Sequence, residues 1–175
     1  MNKIRILAAA VLAGASFAAA AQSAGGENFD THWKFGFQGG TVRDNGKTEP
    51  SGQVSLAYEF DRTWAVEALV NINLLFERDG GVDNGVWEFD HAFGVRALAA
   101  LPLGEDWSLV GGLGVTKLHE EPGLVLHGTS RDRTGVLVSV APTYRISRRW
   151  SMGLEASSFT QSHTFDLGLR AELHF

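Results

Sequence analysis

Nucleophilic catalysis by serine needs a hydroxyl, an imidazole base within hydrogen-bond reach, and an acidic group to orient the base. Two stretches offer such residue types. In "QSHTF", Ser162 and His163 are adjacent. Adjacent side chains on an extended strand point to opposite faces, so this pair does not share a face. In "FDHAF", His91 shares the parity of Phe89 and Phe93, and no serine lies two residues away. His119, Glu120, Glu121, His127 and Asp132 are types that bind divalent cations. Their spacing matches no recognised site, and a solvated acidic loop accounts for them. Gly111, Gly112 and Gly114 are followed by no helical pattern, so they do not make a nucleotide-binding loop. Glycine within a strand marks a bend or close packing. The expectation is a protein with no catalytic site, no metal and no cofactor.

The elements around these residues are strands. In "FDLGLRAELHF", Phe165, Leu167, Leu169, Ala171, Leu173 and Phe175 alternate with Asp166, Gly168, Arg170, Glu172 and His174. In "WAVEALVNINLLFE", Trp64, Val66, Ala68, Val70, Ile72, Leu74 and Phe76 share one face. "VSLAYEF" and "VLVSVAPTYRI" alternate in the same way. A period of two residues gives each strand an apolar and a polar side. A soluble β-sandwich would show the same alternation. Longer strands, alternating tight and long connections, and aromatics at strand ends point instead to a transmembrane β-barrel, apolar side to lipid and polar side to the lumen.

Trp64, Trp107 and Trp150 recur at intervals of 43 residues. Two spanning strands, one outer loop and one tight turn account for that interval. Each of these tryptophans opens an ascending strand at the membrane interface, and Trp33 opens the first. The pattern predicts strands near 32–42, 51–60, 64–77, 89–101, 107–119, 133–146, 150–161 and 164–175. The fold class is therefore all-β, an eight-stranded antiparallel up-and-down barrel over residues 32–175, with both termini periplasmic.

Residues 1–21 read as a secretory signal peptide: Lys3 and Arg5, a short apolar stretch, and an Ala-x-Ala ending at Ala21. Residues 22–31 read as a loose leader. The chain has no Cys, which excludes disulfides and thiolate metal sites. The formal charge of −5 offers nothing to a nucleic-acid partner.

Inward positions near the short turns combine Lys34, Arg96, Arg145 and Arg170 with Glu59, Glu67, Glu155 and Glu172. Buried charges require partners, so these are expected to form a salt-bridged plug. A one-residue slip of the last strand would push Arg170 into lipid, at roughly 2–4 kcal/mol near the midplane. Toward the outer mouth, Leu75, Leu118, Leu137 and Phe159 face inward. They pack beneath the loops, or they line an apolar pocket for a small hydrophobic solute.

The signal peptide, the alternation, the short-turn and long-loop rhythm and the terminal "LRAELHF" resemble the small eight-stranded outer-membrane proteins: the OmpA membrane domain, OmpX and OmpW. That resemblance implies an outer-membrane location, contact with outer-membrane lipids and lipopolysaccharide, and Phe175 as an assembly signal read by the barrel-assembly machinery. The implied role is envelope structure, surface interaction or passage of a small solute. An OmpW-like channel for hydrophobic molecules is the alternative. The lipid A deacylase PagL is similar in size and shape, but its His-x-Ser pair on one strand face has no counterpart here.

Overall fold

The computed structural model describes residues 32–44, 47–73, 87–122, 129–160 and 164–175. Residues 1–31 lie outside that set, with the expected signal and leader. Eight strands follow one another: β1 (Trp33–Asp44), β2 (Lys47–Glu59), β3 (Trp64–Asn73), β4 (Trp87–Pro102), β5 (Trp107–Pro122), β6 (Arg131–Arg145), β7 (Trp150–Phe159) and β8 (Thr164–His174). Each pairs antiparallel with its neighbours in sequence, and β8 returns to β1 to close the barrel. The closure is sealed by Trp33 and Phe175, whose backbones exchange hydrogen bonds of 3.1 and 2.9 Å. A closed barrel leaves no edge, which is what lipid demands of a spanning sheet.

Strand count and order are those the alternation predicts. The ends differ. β1 and β2 extend to Asp44 and back to Lys47, and β5 continues to Pro122. These segments are polar or interrupted by Gly and Pro, so periodicity does not mark them, yet neighbouring strands offer a ladder to join. The last residues expected in β3, 74–77, fall outside the described set.

The tryptophan interval has a local cause. Three short turns repeat one bonding pattern: the Phe60, Leu103 and Ile146 amides donate to the Trp64, Trp107 and Trp150 carbonyls at 2.9, 2.8 and 3.0 Å. At two of them a side-chain oxygen captures the tryptophan amide. Asp61 Oδ1 accepts from Trp64 N at 2.8 Å, and Ser147 Oγ accepts from Trp150 N at 3.2 Å. Asp and Ser favour turns for this reason. The indoles point outward and are exposed, forming an aromatic rim at the short-turn end.

The two faces are inverted relative to a soluble domain. Phe37, Phe93, Val95, Leu113, Val115, Val138, Leu154 and Leu169 are all exposed on the outer wall, while Glu67, Arg96, Glu155, Asp166 and Arg170 are buried inside. Following paired inward residues from Lys34 through Ala57, Glu67, Arg96, Gly114, Leu137 and Phe159 leads to Thr164, next to the Phe165 that pairs with Arg43, and not back to Lys34. This stagger of ten residues tilts the strands. It also explains why one hydrogen-bonded row climbs from the charged Glu67 and Arg96 to the apolar Leu137 and Phe159.

Glycines make room for the arginines. A Cβ on Gly114 would lie 2.1 Å from the Val95 carbonyl oxygen and 2.5 Å from Arg96 Cα, and one on Gly112 would lie 3.2 Å from Arg96 Cδ. On Gly39 a Cβ would meet nothing within 4 Å. Gly114→Val is therefore expected to destabilise the barrel by about 1–3 kcal/mol through overpacking. Gly39→Ala should be close to neutral, and urea unfolding in lipid vesicles measures both.

Candidate functional site

The interior of the barrel is built around two arginines. Arg96, from β4, is 1% exposed, yet its guanidinium is fully engaged on two walls. Its Nε donates to Glu67 Oε2 on adjacent β3 at 2.5 Å. Its Nη1 and Nη2 form a fork on Glu155 of β7, at 2.6 and 2.9 Å. Ser139 Oγ on β6 accepts a further bond from Nη1 at 2.7 Å. Arg170, from β8, pairs with Glu67, with Glu155 at 2.6 Å and with Glu172 at 2.8 Å. Glu67, Arg96, Glu155 and Arg170 thus close an alternating ring of charge across the lumen. β4 and β7 are not neighbours in the sheet, so the Arg96–Glu155 fork ties opposite walls. Bidentate guanidinium–carboxylate pairs are among the stronger hydrogen-bonded contacts, and here each charge has a partner.

Of the eight charges expected inward, the structure brings five into this network: Glu67, Arg96, Glu155, Arg170 and Glu172. Lys34 and Glu59 form a separate pair at 2.7 Å near the mouth. Arg145 is a correction. It ends β6 at the open rim, where its side chain is exposed, and it enters none of these pairs. Inward parity continues to the last residue of a strand, but enclosure stops where the turns begin.

Above the ring lies an apolar layer. Leu118, Leu137 and Phe159 pack with Val42, Leu69 and Ala92, each almost wholly buried. Leu75, the fourth expected member, lies outside the described residues. Burial this complete describes a packed layer rather than a cleft. A void of about 10 Å³ lies beside Arg96, Ser139, Glu155 and Arg170. That is at the lower limit of the roughly 10–15 Å³ that one water needs. A far larger concavity, about 560 Å³, opens on the outer wall against Phe35, Val54, Val70, Phe93 and Val115, on the lipid-facing side.

Several polar contacts escaped the sequence reading. Asp166 is buried in the lumen and accepts from Ser51 Oγ at 2.8 Å and Asn71 Nδ2 at 2.6 Å. Its inward parity with Arg170 and Glu172 was the available signal. Ser151 and His174 meet at 2.9 Å near the short-turn end. This is not a nucleophile and its base. Ser151 donates its proton to Glu172 at 2.9 Å, so the His174 Nε2 must donate to the serine oxygen rather than accept from it. In that arrangement the Ser151 proton is already given to Glu172 and not to His174.

Ser162, His163 and His127 lie outside the described residues. His91 is bonded to Asp90 at 2.7 Å. Glu120 faces inward and is bridged by Arg131 at 2.5 Å and Arg133 at 3.5 Å. Asp132 is shared by Lys117 at 2.7 Å and His119 at 2.8 Å. Among the described residues, no three acidic or histidine groups converge on one ion.

A closed antiparallel barrel with an apolar exterior and a charged interior is the architecture of a transmembrane β-barrel. Comparison with known proteins gives the family. The model of the outer membrane protein beta-barrel domain matches residues 6–172, and the chain belongs to that family. No curated protein matches it. The fold is similar to that of OprG from Pseudomonas aeruginosa, with a TM-score of 0.55 and 11% identity over 83% of this chain and 98% of that one. It is also similar to Ail, the attachment invasion locus protein of Yersinia pestis, solved with the heparin analogue sucrose octasulfate. There the TM-score is 0.51 and the identity 17%, over 82% of this chain and 96% of Ail. The N-terminal barrel domain of OprF from Pseudomonas aeruginosa matches with a TM-score of 0.51 and 9% identity, over 81% of this chain and 97% of that one. At these identities the likeness carries the architecture alone.

Glu155 serves both ring arginines, whereas Glu172 meets only Arg170, nearer the mouth. Glu155→Gln should cost about 3–5 kcal/mol, because Arg96 loses its forked partner and both ring arginines must then share Glu67. Glu172→Gln should cost clearly less. Equal losses in vesicle-based urea unfolding would contradict the ring geometry.

Proposed function

We propose that this protein is an outer-membrane barrel whose lumen is closed, and that it acts in envelope structure or surface interaction, without catalysis and without solute passage. The observation that carries this reading is the charge ring of Glu67, Arg96, Glu155 and Arg170, which spans the lumen from wall to wall. An ion entering would have to break buried, fully paired charges. The apolar layer of Leu118, Leu137 and Phe159 adds a second barrier. Eight strands favour this outcome, since so narrow a barrel can be filled by side chains.

The same packing weighs against a channel for hydrophobic molecules, because these three residues are buried against one another instead of lining a cleft. The reading includes export through a cleaved signal peptide, periplasmic termini, insertion by the barrel-assembly machinery with Phe175 as part of its signal, and contact with lipopolysaccharide. A lipid A-modifying enzyme is disfavoured by the bonding at Ser151 and His174, and among the described residues His91 is bonded to a carboxylate and to no serine.

Two measurements test this. Proteoliposomes carrying the purified protein should show no swelling in small sugars or amino acids above protein-free vesicles. The lipid A mass spectrum should be the same in cells with and without the protein. Solute-dependent swelling would overturn the closed lumen, and a gained or lost acyl chain would overturn the non-catalytic role.

A further inference from the structure

His91 and His119 face each other directly across β4 and β5. Their rings stack, with centroids 4.7 Å apart and planes inclined by 25°. Each ring is held at Nδ1 by a carboxylate: His91 by Asp90 at 2.7 Å, His119 by Asp132 at 2.8 Å. An ionised carboxylate only accepts hydrogen bonds, so each Nδ1 must donate. In the neutral rings the lone pairs are then both on Nε2. Carboxylate bound to one ring nitrogen, with the other nitrogen left as donor atom, is the arrangement that orients and strengthens histidine as a metal ligand.

The local structure supports a site rather than incidental packing. The register shifts between Phe89 and His91, so Asp90 falls at a bulge and turns onto the neighbouring imidazole. Lys117 holds Asp132 from its other oxygen at 2.7 Å. Both histidine side chains are a little over one quarter exposed, 27% and 28%, so an ion can reach them. On β5 the outward residues run Leu113, Val115, Lys117, His119, so the apolar band ends just below the pair. The pair therefore lies at the loop-end interface, where water and anionic headgroups are available.

We propose that His91 and His119 form a two-imidazole site for a borderline divalent transition-metal ion such as Zn2+ or Cu2+. Imidazole nitrogen selects these ions over Mg2+ and Ca2+, which prefer oxygen. With metal–nitrogen bonds of roughly 2.0–2.1 Å, binding one ion requires the two stacked rings to tilt until their Nε2 atoms point at the same centre. The remaining coordination positions are left to water or to a headgroup oxygen.

The test uses untagged protein folded in detergent micelles, titrated calorimetrically with Zn2+, with Cu2+ bound in parallel for electron paramagnetic resonance. One Zn2+ per chain is expected, unaffected by excess Mg2+, with a Cu2+ spectrum showing coupling to imidazole nitrogens. His91→Ala and His119→Ala should each abolish this binding. Asp132→Asn should weaken it about 10–100-fold, as loss of an orienting carboxylate does. His127→Ala and His163→Ala should leave it intact. A heat-dependent gel shift establishes that each variant is folded, and His91→Gln replaces any that is not. Absence of binding, or binding that survives both His91→Ala and His119→Ala, would overturn the proposal.

Discussion

The two arginines of the lumen are the constraint on which the rest of the barrel depends. A guanidinium at the centre of a membrane protein must be paired, and the only place to pair it is inside the barrel. Arg96 and Arg170 are therefore drawn inward, and Glu67 and Glu155 must come from strands that bring them within reach. Those four residues sit on β3, β4, β7 and β8. Only the correct stagger places them together, so satisfying the charges and setting the register are the same event. The wall beside them is thinned to match. A side chain at Gly114 would collide with Arg96 and the Val95 carbonyl, and one at Gly112 with the Ser139 hydroxyl that Arg96 bonds.

From the ring the remaining features follow. Polar side chains fill the near end of the lumen and apolar ones the layer above, and the outer wall is a continuous apolar surface set against lipid. Short turns at one end are built to one pattern, with a tryptophan at each exit. The lumen is packed with paired charges and an apolar layer, and at the loop-end interface the outer surface carries the paired histidines and their carboxylates.

Most of the fold was legible because β-structure in a membrane writes a period of two directly into the sequence. Eight strands, their order and the inward parity of Glu67, Arg96, Glu155 and Arg170 could all be read that way. Parity gives the face of a residue but not its reach. It placed Arg145 inward without revealing that the barrel is open at that height. It could not show which carboxylate each arginine would choose, because Arg96 and Glu155 are 59 residues apart on strands that never touch. The pairing of His91 with His119 was hidden for another reason. It depends on the register between β4 and β5, and alternation within one strand gives the face of a residue but not its partner across the ladder.

The central claim, that the charge ring closes the lumen, can be tested at one atom. The chain has no Cys, so a single introduced thiol reports without background. Ser139 is buried against Arg96 within the ring, and Ser147 lies exposed in a turn. In folded protein, Ser139→Cys should resist a charged methanethiosulfonate reagent from either side of the membrane and react only on unfolding, while Ser147→Cys reacts at once. Modification of Ser139→Cys at a rate comparable to that of Ser147→Cys would mean that water and ions traverse the lumen, and would contradict a closed barrel.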